Sequence, residues 1–186
     1  MLPDRQYRLP AGYMVLFSDT VGFIKNLPTQ LVAAFRATLE EVRDADIILH
    51  IMDASDPEAE NHRETVNSIL REIGAFEGKK IIEVWNKADL LDTERRKFLV
   101  SGAGEIYISA KTGEGIDKLL KEIEKQVSAE YFHADVEIPH FSAGLAAVFY
   151  NEAVVVSRTD TDEMVKLSVM CTKKTMEQYK KSLIED

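Results

Sequence analysis

Three apolar runs in this chain each stop at a short polar stretch. Tyr13-Met14-Val15-Leu16-Phe17 precedes Asp19-Thr20-Val21-Gly22, Ile81-Ile82-Glu83-Val84-Trp85 precedes Asn86-Lys87-Ala88-Asp89, and Glu105-Ile106-Tyr107-Ile108 precedes Ser109-Ala110-Lys111. Runs of this length, rich in β-branched and aromatic residues, read as strands. From Tyr13 to about Glu130 they alternate with segments of helical spacing, the pattern of an α/β fold with a mainly parallel sheet and helices on both faces. Loops that follow successive strands of such a sheet converge on one crevice, so polar stretches far apart in sequence can surround one ligand.

The helical segments between these runs are legible. Leu31, Val32, Phe35, Leu39 and Val42 recur at helical spacing, and Pro28 suits the start of that helix. The run from Asp46 to Asp53 is apolar nearly throughout and reads as a central strand. Asp56-Pro57 reads as cap and first helical position of a helix ending near Ile73, with Gly74 as its stop. A short helix is expected from Thr93. Ile116, Leu119, Leu120, Ile123 and Val127 then form one apolar helix stripe. From Asp135 the order becomes strand (Val136-Glu137-Ile138), helix (Ser142 to Tyr150), strand (Ala153 to Ser157), strand (Met164 to Cys171) and a charged helix from Thr172. That order predicts a small α+β domain. The boundary is expected between Ala129 and Ala134, giving domains 1–132 and 133–186.

Composition narrows the function classes. A net charge of −9 argues against general attraction to nucleic acid or anionic membrane, and no apolar run approaches the length of a membrane span. Lys173, Lys174, Lys180 and Lys181 therefore read as a solvated helix face rather than a nucleic-acid contact. The single cysteine, Cys171, excludes an internal disulfide framework and reads as a small buried hydrophobe. His50, His62, His133 and His140 have no metal-ligand spacing. With no basic-then-apolar leader at Met1-Leu2-Pro3-Asp4-Arg5, the expected location is cytoplasmic.

The strand-end stretches carry the chemistry. An Asp-x-x-Gly after an apolar strand places a carboxylate, Asp19, where it can hold a phosphate-bound Mg²⁺ through water. Gly22 would offer a backbone N–H to the terminal phosphate, with no side chain in the way. By itself the pattern is also that of an ordinary strand-to-loop turn. Asn-Lys-Ala-Asp alone is also a capped turn.

In this order and context, Asp19-Thr20-Val21-Gly22, Asn86-Lys87-Ala88-Asp89 and Ser109-Ala110-Lys111 resemble the motifs of translation-factor-class GTPases. The resemblance implies a P-loop-NTPase-like fold binding GTP or GDP with Mg²⁺. Asn-Lys-Ala-Asp has a physical logic as a guanine reader: the Asp89 carboxylate can accept from the ring N–H and the exocyclic amine, a donor pair that adenine lacks. Lys87 would lie along base and ribose, Asn86 would tie the loops together, and the Ala110 N–H would face the guanine carbonyl. Asp19 to Ile24, Leu27-Pro28, Leu31 to Val42, Asp53-Ala54-Ser55-Asp56-Pro57 and Ile138-Pro139 are similar to the HflX family of ribosome-associated GTPases. That likeness runs from about Leu9 to the end and implies slow GTP hydrolysis stimulated by the large ribosomal subunit. Phe23 stands where many GTPases carry a water-positioning Gln, and its ring cannot orient water by hydrogen bonding. No catalytic residue is therefore assigned beyond the switch position, Gly22 and Phe23. Phe35 reads as core.

None of the nine glycines opens a Gly-x4-Gly-Lys-Ser/Thr phosphate loop; the one Gly-Lys, Gly78-Lys79, is followed by Lys80. Each charge-assisted hydrogen bond to phosphate is worth roughly 1.5–3 kcal/mol, so lacking the loop removes several decades of affinity. The reading is an amino-terminally truncated GTPase domain: a fragment, a truncated gene product or one half of a split protein whose missing segment a separate chain supplies. Weak or no nucleotide binding by this chain alone is expected. The alternative is a catalytically inactive module that docks on a ribosome or protein partner.

Overall fold

The computed structural model describes residues 5–19, 42–76, 78–94, 96 and 104–185. Thr20, Val21, Gly22 and Phe23 lie outside them. So does the helix expected around Leu31, Val32, Phe35 and Leu39, apart from a helical turn at 42–44.

The described chain falls into two compact units, Ser18–Ile123 and Asp4–Phe17 with Glu124–Asp186. In the first, β3 (Ile47–Asp53), β4 (Lys80–Asn86) and β5 (Ile106–Tyr107) form a parallel sheet in that order. β4 is central and buries Ile82, Val84 and Trp85, consecutive enough to show that both of its faces are covered. Helix α1 (Ala59–Glu72) connects β3 to β4. It begins later than the Asp56-Pro57 signal, because Asp56 folds a turn of its own: its carboxylate Oδ1 accepts from Glu58 N at 2.9 Å and its carbonyl from Ala59 N at 3.1 Å. After β5 the chain enters α2 (Ile116–Ser128), whose stripe buries Leu119 and Ile123. Of the short helix expected from Thr93, positions 93, 94 and 96 are described and are helical; the rest lies outside the described residues.

The second unit holds an antiparallel sheet in the order β6 (Phe132–Pro139), β8 (Met164–Cys171), β7 (Val154–Asp160). Along β8 burial alternates: Val165, Leu167, Val169 and Cys171 face a core that Phe149 of α3 (Ala146–Glu152) and Tyr179 of α4 (Lys173–Glu185) complete. Cys171 is a free, wholly buried thiol. The order of sheet and helices in this tail matches the sequence expectation, with η turns at His140–Leu145 ahead of α3.

The first strand differs from expectation. β2 (Met14–Phe17) does not join the parallel sheet; it pairs antiparallel with β1 (Arg5–Arg8), register Arg5↔Phe17 to Arg8↔Met14, as a separate two-stranded sheet. Neighbouring strands joined by a tight loop pair locally without a crossover, whereas a parallel partner needs one. Here Leu9 N donates to Tyr13 O and Gly12 N to Leu9 O, both at 2.8 Å. Gly12 takes φ +95, and a Cβ there would stand 3.2 Å from Val154. The hairpin is fastened within its unit by Ala11 N donating to Glu124 Oε1 at 2.6 Å and by the edge contact of Tyr13 with Tyr131, ring centroids 4.6 Å apart.

Candidate functional site: the ends of β3, β4 and β5

Parallel pairing puts Asp53 opposite Asn86 and Trp85 opposite Tyr107, so three strands end side by side. The loops beyond them are bonded to one another through the backbone: Ala54 N donates to Asn86 O at 2.8 Å, Ala88 N to Ile108 O at 3.0 Å, and Ile108 N to Trp85 O at 2.8 Å. Beneath them Trp85 and Tyr107 stack at 5.9 Å between centroids, with 13° between planes. With Met52, Ala59 and Ala88 they form the core that supports the loops.

On this base the side chains from two of the sequence-identified stretches meet. Asn86 Oδ1 accepts from Lys87 N at 2.7 Å and from Ala110 N at 3.0 Å, so one amide joins the β4 and β5 loops. Lys87 takes φ +64, the left-handed conformation, and Ala88 opens a single 3₁₀ turn over Ala88–Leu90. That turn carries Asp89, whose Oδ1 accepts from the Ser109 hydroxyl at 2.6 Å. Ser109 is fully buried and wholly engaged: its N donates to Glu114 O at 2.9 Å, its carbonyl accepts from Gly113 N at 2.8 Å, and its Oγ accepts from Thr112 N at 3.2 Å. Gly115 lets this loop close. It takes φ +76, and a Cβ there would lie 2.2 Å from the Tyr107 carbonyl oxygen.

The electrostatics follow from these bonds. The Ser109 hydroxyl holds the Asp89 carboxyl below the ordinary aspartate range; partial burial opposes this, and the nearby Lys111 and Arg96 charges add to the lowering. Asp89 is thus an anion with one oxygen fixed by protein. Among the described residues no side chain donates to its second oxygen, which leaves an acceptor suited to a pair of neighbouring N–H donors.

The structure gives protein partners to two of the expected base contacts. The Ala110 N–H, expected to face a guanine carbonyl, donates to Asn86 Oδ1. Lys87, expected along base and ribose, ends on Asp53, Nζ to Oδ2 at 2.5 Å. Asp19 is exposed at the end of the β1-β2 hairpin, and among the described residues no hydrogen bond or ion pair joins it to the Asn86 and Ser109 loops. Asp53 is a site residue that the strand-end reading passed over. Its Oδ1 accepts from Ser55 N at 2.9 Å and Ser55 Oγ at 2.6 Å. The available signal was a carboxylate at the carboxyl end of an apolar strand, the same signal that singled out Asp19.

The Asp89 carboxylate suits a ligand that presents two neighbouring N–H donors. It sits on the 88–90 turn, the Ala110 N–H bond to Asn86 ties that loop to the next, and Lys111 is exposed beside them. A stand-alone metal site does not fit. Among the described residues no group of three or more His, Cys, Asp or Glu can hold an ion, and a lone Asp19 suits only an Mg²⁺ that brings its own phosphate oxygens.

Comparison with known proteins shows the family. Residues 4–87 match the family model described as 50S ribosome-binding GTPase, and residues 100–185 match that of the HflX C-terminal domain. The GTPase HflX of Magnetococcus marinus is 41% identical over 166 residues, 89% of this chain and 38% of that protein. The GTPase HflX of Chlamydia pneumoniae is 34% identical over 178 residues, 95% of this chain and 38% of that protein. Among solved structures, the crystal structure of an SsGBP mutation variant superposes with a TM-score of 0.54 at 28% identity, covering 68% of this chain and 47% of that one. Fold, strand-end motifs and matched segments together define a GTPase-class α/β protein. The chain belongs to the HflX family. It spans 38% of the length of the first curated relatives it matches.

Proposed function

We propose that this chain carries the guanine-reading half of an HflX-type GTPase site and the family's carboxyl-terminal domain. The observation that carries the reading is the bonded cluster Asn86, Asp89, Ser109 and Ala110, which brings a fixed carboxylate and two tied loops together beyond the ends of β4 and β5. In it Asp89 accepts from the guanine ring N–H and exocyclic amine. Asn86 and Ser109 hold the two loops in place, and Ala88 packs the turn onto the core. Lys111 lies beside Asp89, and the backbone N–H of Ala110, which also meets Asn86 Oδ1, faces the guanine carbonyl. Asp19-Thr20-Val21-Gly22 would serve the phosphate side, Asp19 meeting Mg²⁺ through water. When bound, that ion neutralises phosphate charge.

Within the 186 residues no segment supplies a phosphate cradle, so the chain by itself binds GDP weakly and does not turn over GTP. The partner is the large ribosomal subunit, in keeping with the description of the matched GTPase family, and the location is cytoplasmic. Among the described residues no helix is long and apolar enough to cross a membrane. The sequence domains, 1–132 for the partial GTPase domain and 133–186 for the small α+β domain, belong to the same proposal.

Titration of the chain with a fluorescent GDP analogue, with and without Mg²⁺, tests this. Binding is expected to stay outside the micromolar range and to respond little to Mg²⁺. Tight, Mg²⁺-dependent binding would overturn the division of the site into a reading half and an absent gripping half.

A further inference from the structure

We propose that Asp53 is a positioning residue of the base-reading loop, pinning the Lys87 ammonium so that the lysine acts through its aliphatic stem on the base rather than through its charge on phosphate. The inference rests on the guanine-reading proposal and adds a residue to it.

The geometry is specific. Asp53 lies opposite Asn86 in the parallel ladder, one residue short of Lys87. The strand ends are locked at this level by Ala54 N donating to Asn86 O at 2.8 Å. From Lys87, the left-handed backbone sends the side chain across to the end of β3, where Nζ meets Asp53 Oδ2 at 2.5 Å. The other Asp53 oxygen is held by Ser55 through both N and Oγ, so the carboxylate is anchored before it takes the lysine. Lys87 has its side chain half exposed, and among the described residues its only ion-pair partner is this carboxylate. Its stem therefore spans the β4 and β3 ends, while Asp89 and Ser109 lie toward β5.

Burial works to raise the Asp53 carboxyl, but hydrogen bonds from Lys87 and Ser55 outweigh it and carry the net shift below the ordinary range. The same bond pushes the Lys87 ammonium upward. A lysine neutralised in this way offers methylenes to a purine face and little free charge to a phosphate.

The test is a set of nuclear magnetic resonance titrations of the whole chain with guanosine, adenosine and guanosine monophosphate, comparing wild type with Asp53→Asn, Asp53→Glu and Lys87→Met. Wild type is expected to prefer guanosine. Asp53→Asn is expected to weaken guanosine and its monophosphate alike, about threefold to fivefold, the scale of one solvent-screened pair. Asp53→Glu is expected to recover most of the loss. Lys87→Met cuts the same pair from the other side and leaves the Asp53–Ser55 bonds intact, so it reports even if Asp53→Asn disturbs the loop. It should match Asp53→Asn and add nothing when the two are combined. The Lys87 Cε resonance should titrate above the ordinary lysine value and fall back toward it in Asp53→Asn.

If wild type prefers guanosine and Asp53→Asn binds it unchanged, the positioning role is wrong and base reading stands. If wild type does not distinguish guanosine from adenosine, base reading fails and this inference falls with it.

Discussion

Ser109 does more at the candidate site than its small size suggests. With no exposed surface, it supports Asp89 through its hydroxyl and closes its own loop through N and O. Ser109→Ala should therefore leave the Thr112 N–H and one Asp89 oxygen without their partner and loosen the reading loop, visible as faster amide exchange at 109–113. It also has a pH signature. The folded Asp89 pKa is depressed, so the stability and base affinity it contributes are fully present above the ordinary aspartate value of about 3.9 and vanish as pH falls through the lower folded value. In Ser109→Ala the loss should set in at higher pH than in wild type, followed by guanosine binding between pH 6 and about 3. A mid-point that does not move would mean that the hydroxyl does not tune the carboxyl. Gly115→Ala is the harsher change: its Cβ would meet the Tyr107 carbonyl oxygen at 2.2 Å and at positive φ. A loss exceeding about 2 kcal/mol is expected in chemical denaturation.

At the scale of elements, the strands and helices with a strong period were legible and those decided by partners were not. β8 reads as an apolar-rich run broken by Lys166 and Ser168, and its expected span, Met164 to Cys171, is the observed one. The apolar stripe of α2 was equally plain, since Leu119 and Ile123 sit one turn apart on its buried face. The pairing of Tyr13–Phe17 was not legible. An apolar run states that a strand forms, while its neighbour depends on what lies within reach, and the Arg5–Arg8 segment has no apolar pattern to announce it. The same limit applied at the site. Asn86, Asp89 and Ser109 could be picked out by residue type at a strand end, but the Asp53–Lys87 pair depends on register between β3 and β4, which no local pattern encodes. Packing of the tail gives an element-scale test. Phe149 is fully buried between β8 and α4, its ring 4.9 Å from that of Tyr179, so Phe149→Ala should cost about 3–5 kcal/mol by calorimetry. A change near zero would mean that this core is not the one that holds α3 and α4 to the sheet.

At the scale of the whole molecule, the division into two compact units places the chain's single tryptophan, Trp85, in the first unit with the reading loops. Trp85 is stacked on Tyr107 directly below those loops, so its fluorescence reports their foundation. Phe149→Ala should thus lower the thermal transition seen by far-ultraviolet dichroism more than the one seen by Trp85. The proposed reading predicts a specificity that exceeds affinity, and specificity is what should be measured. Wild type and Asp89→Asn would each be titrated with guanosine and with xanthosine, whose second carbonyl replaces the guanine amine. The Asp89 carboxylate accepts from the amine, whereas an asparagine amide donates to that carbonyl. Wild type is expected to favour guanosine and Asp89→Asn to favour xanthosine, each by about tenfold for one or two hydrogen bonds. Equal affinities for the two nucleosides in both proteins would contradict guanine reading by Asp89.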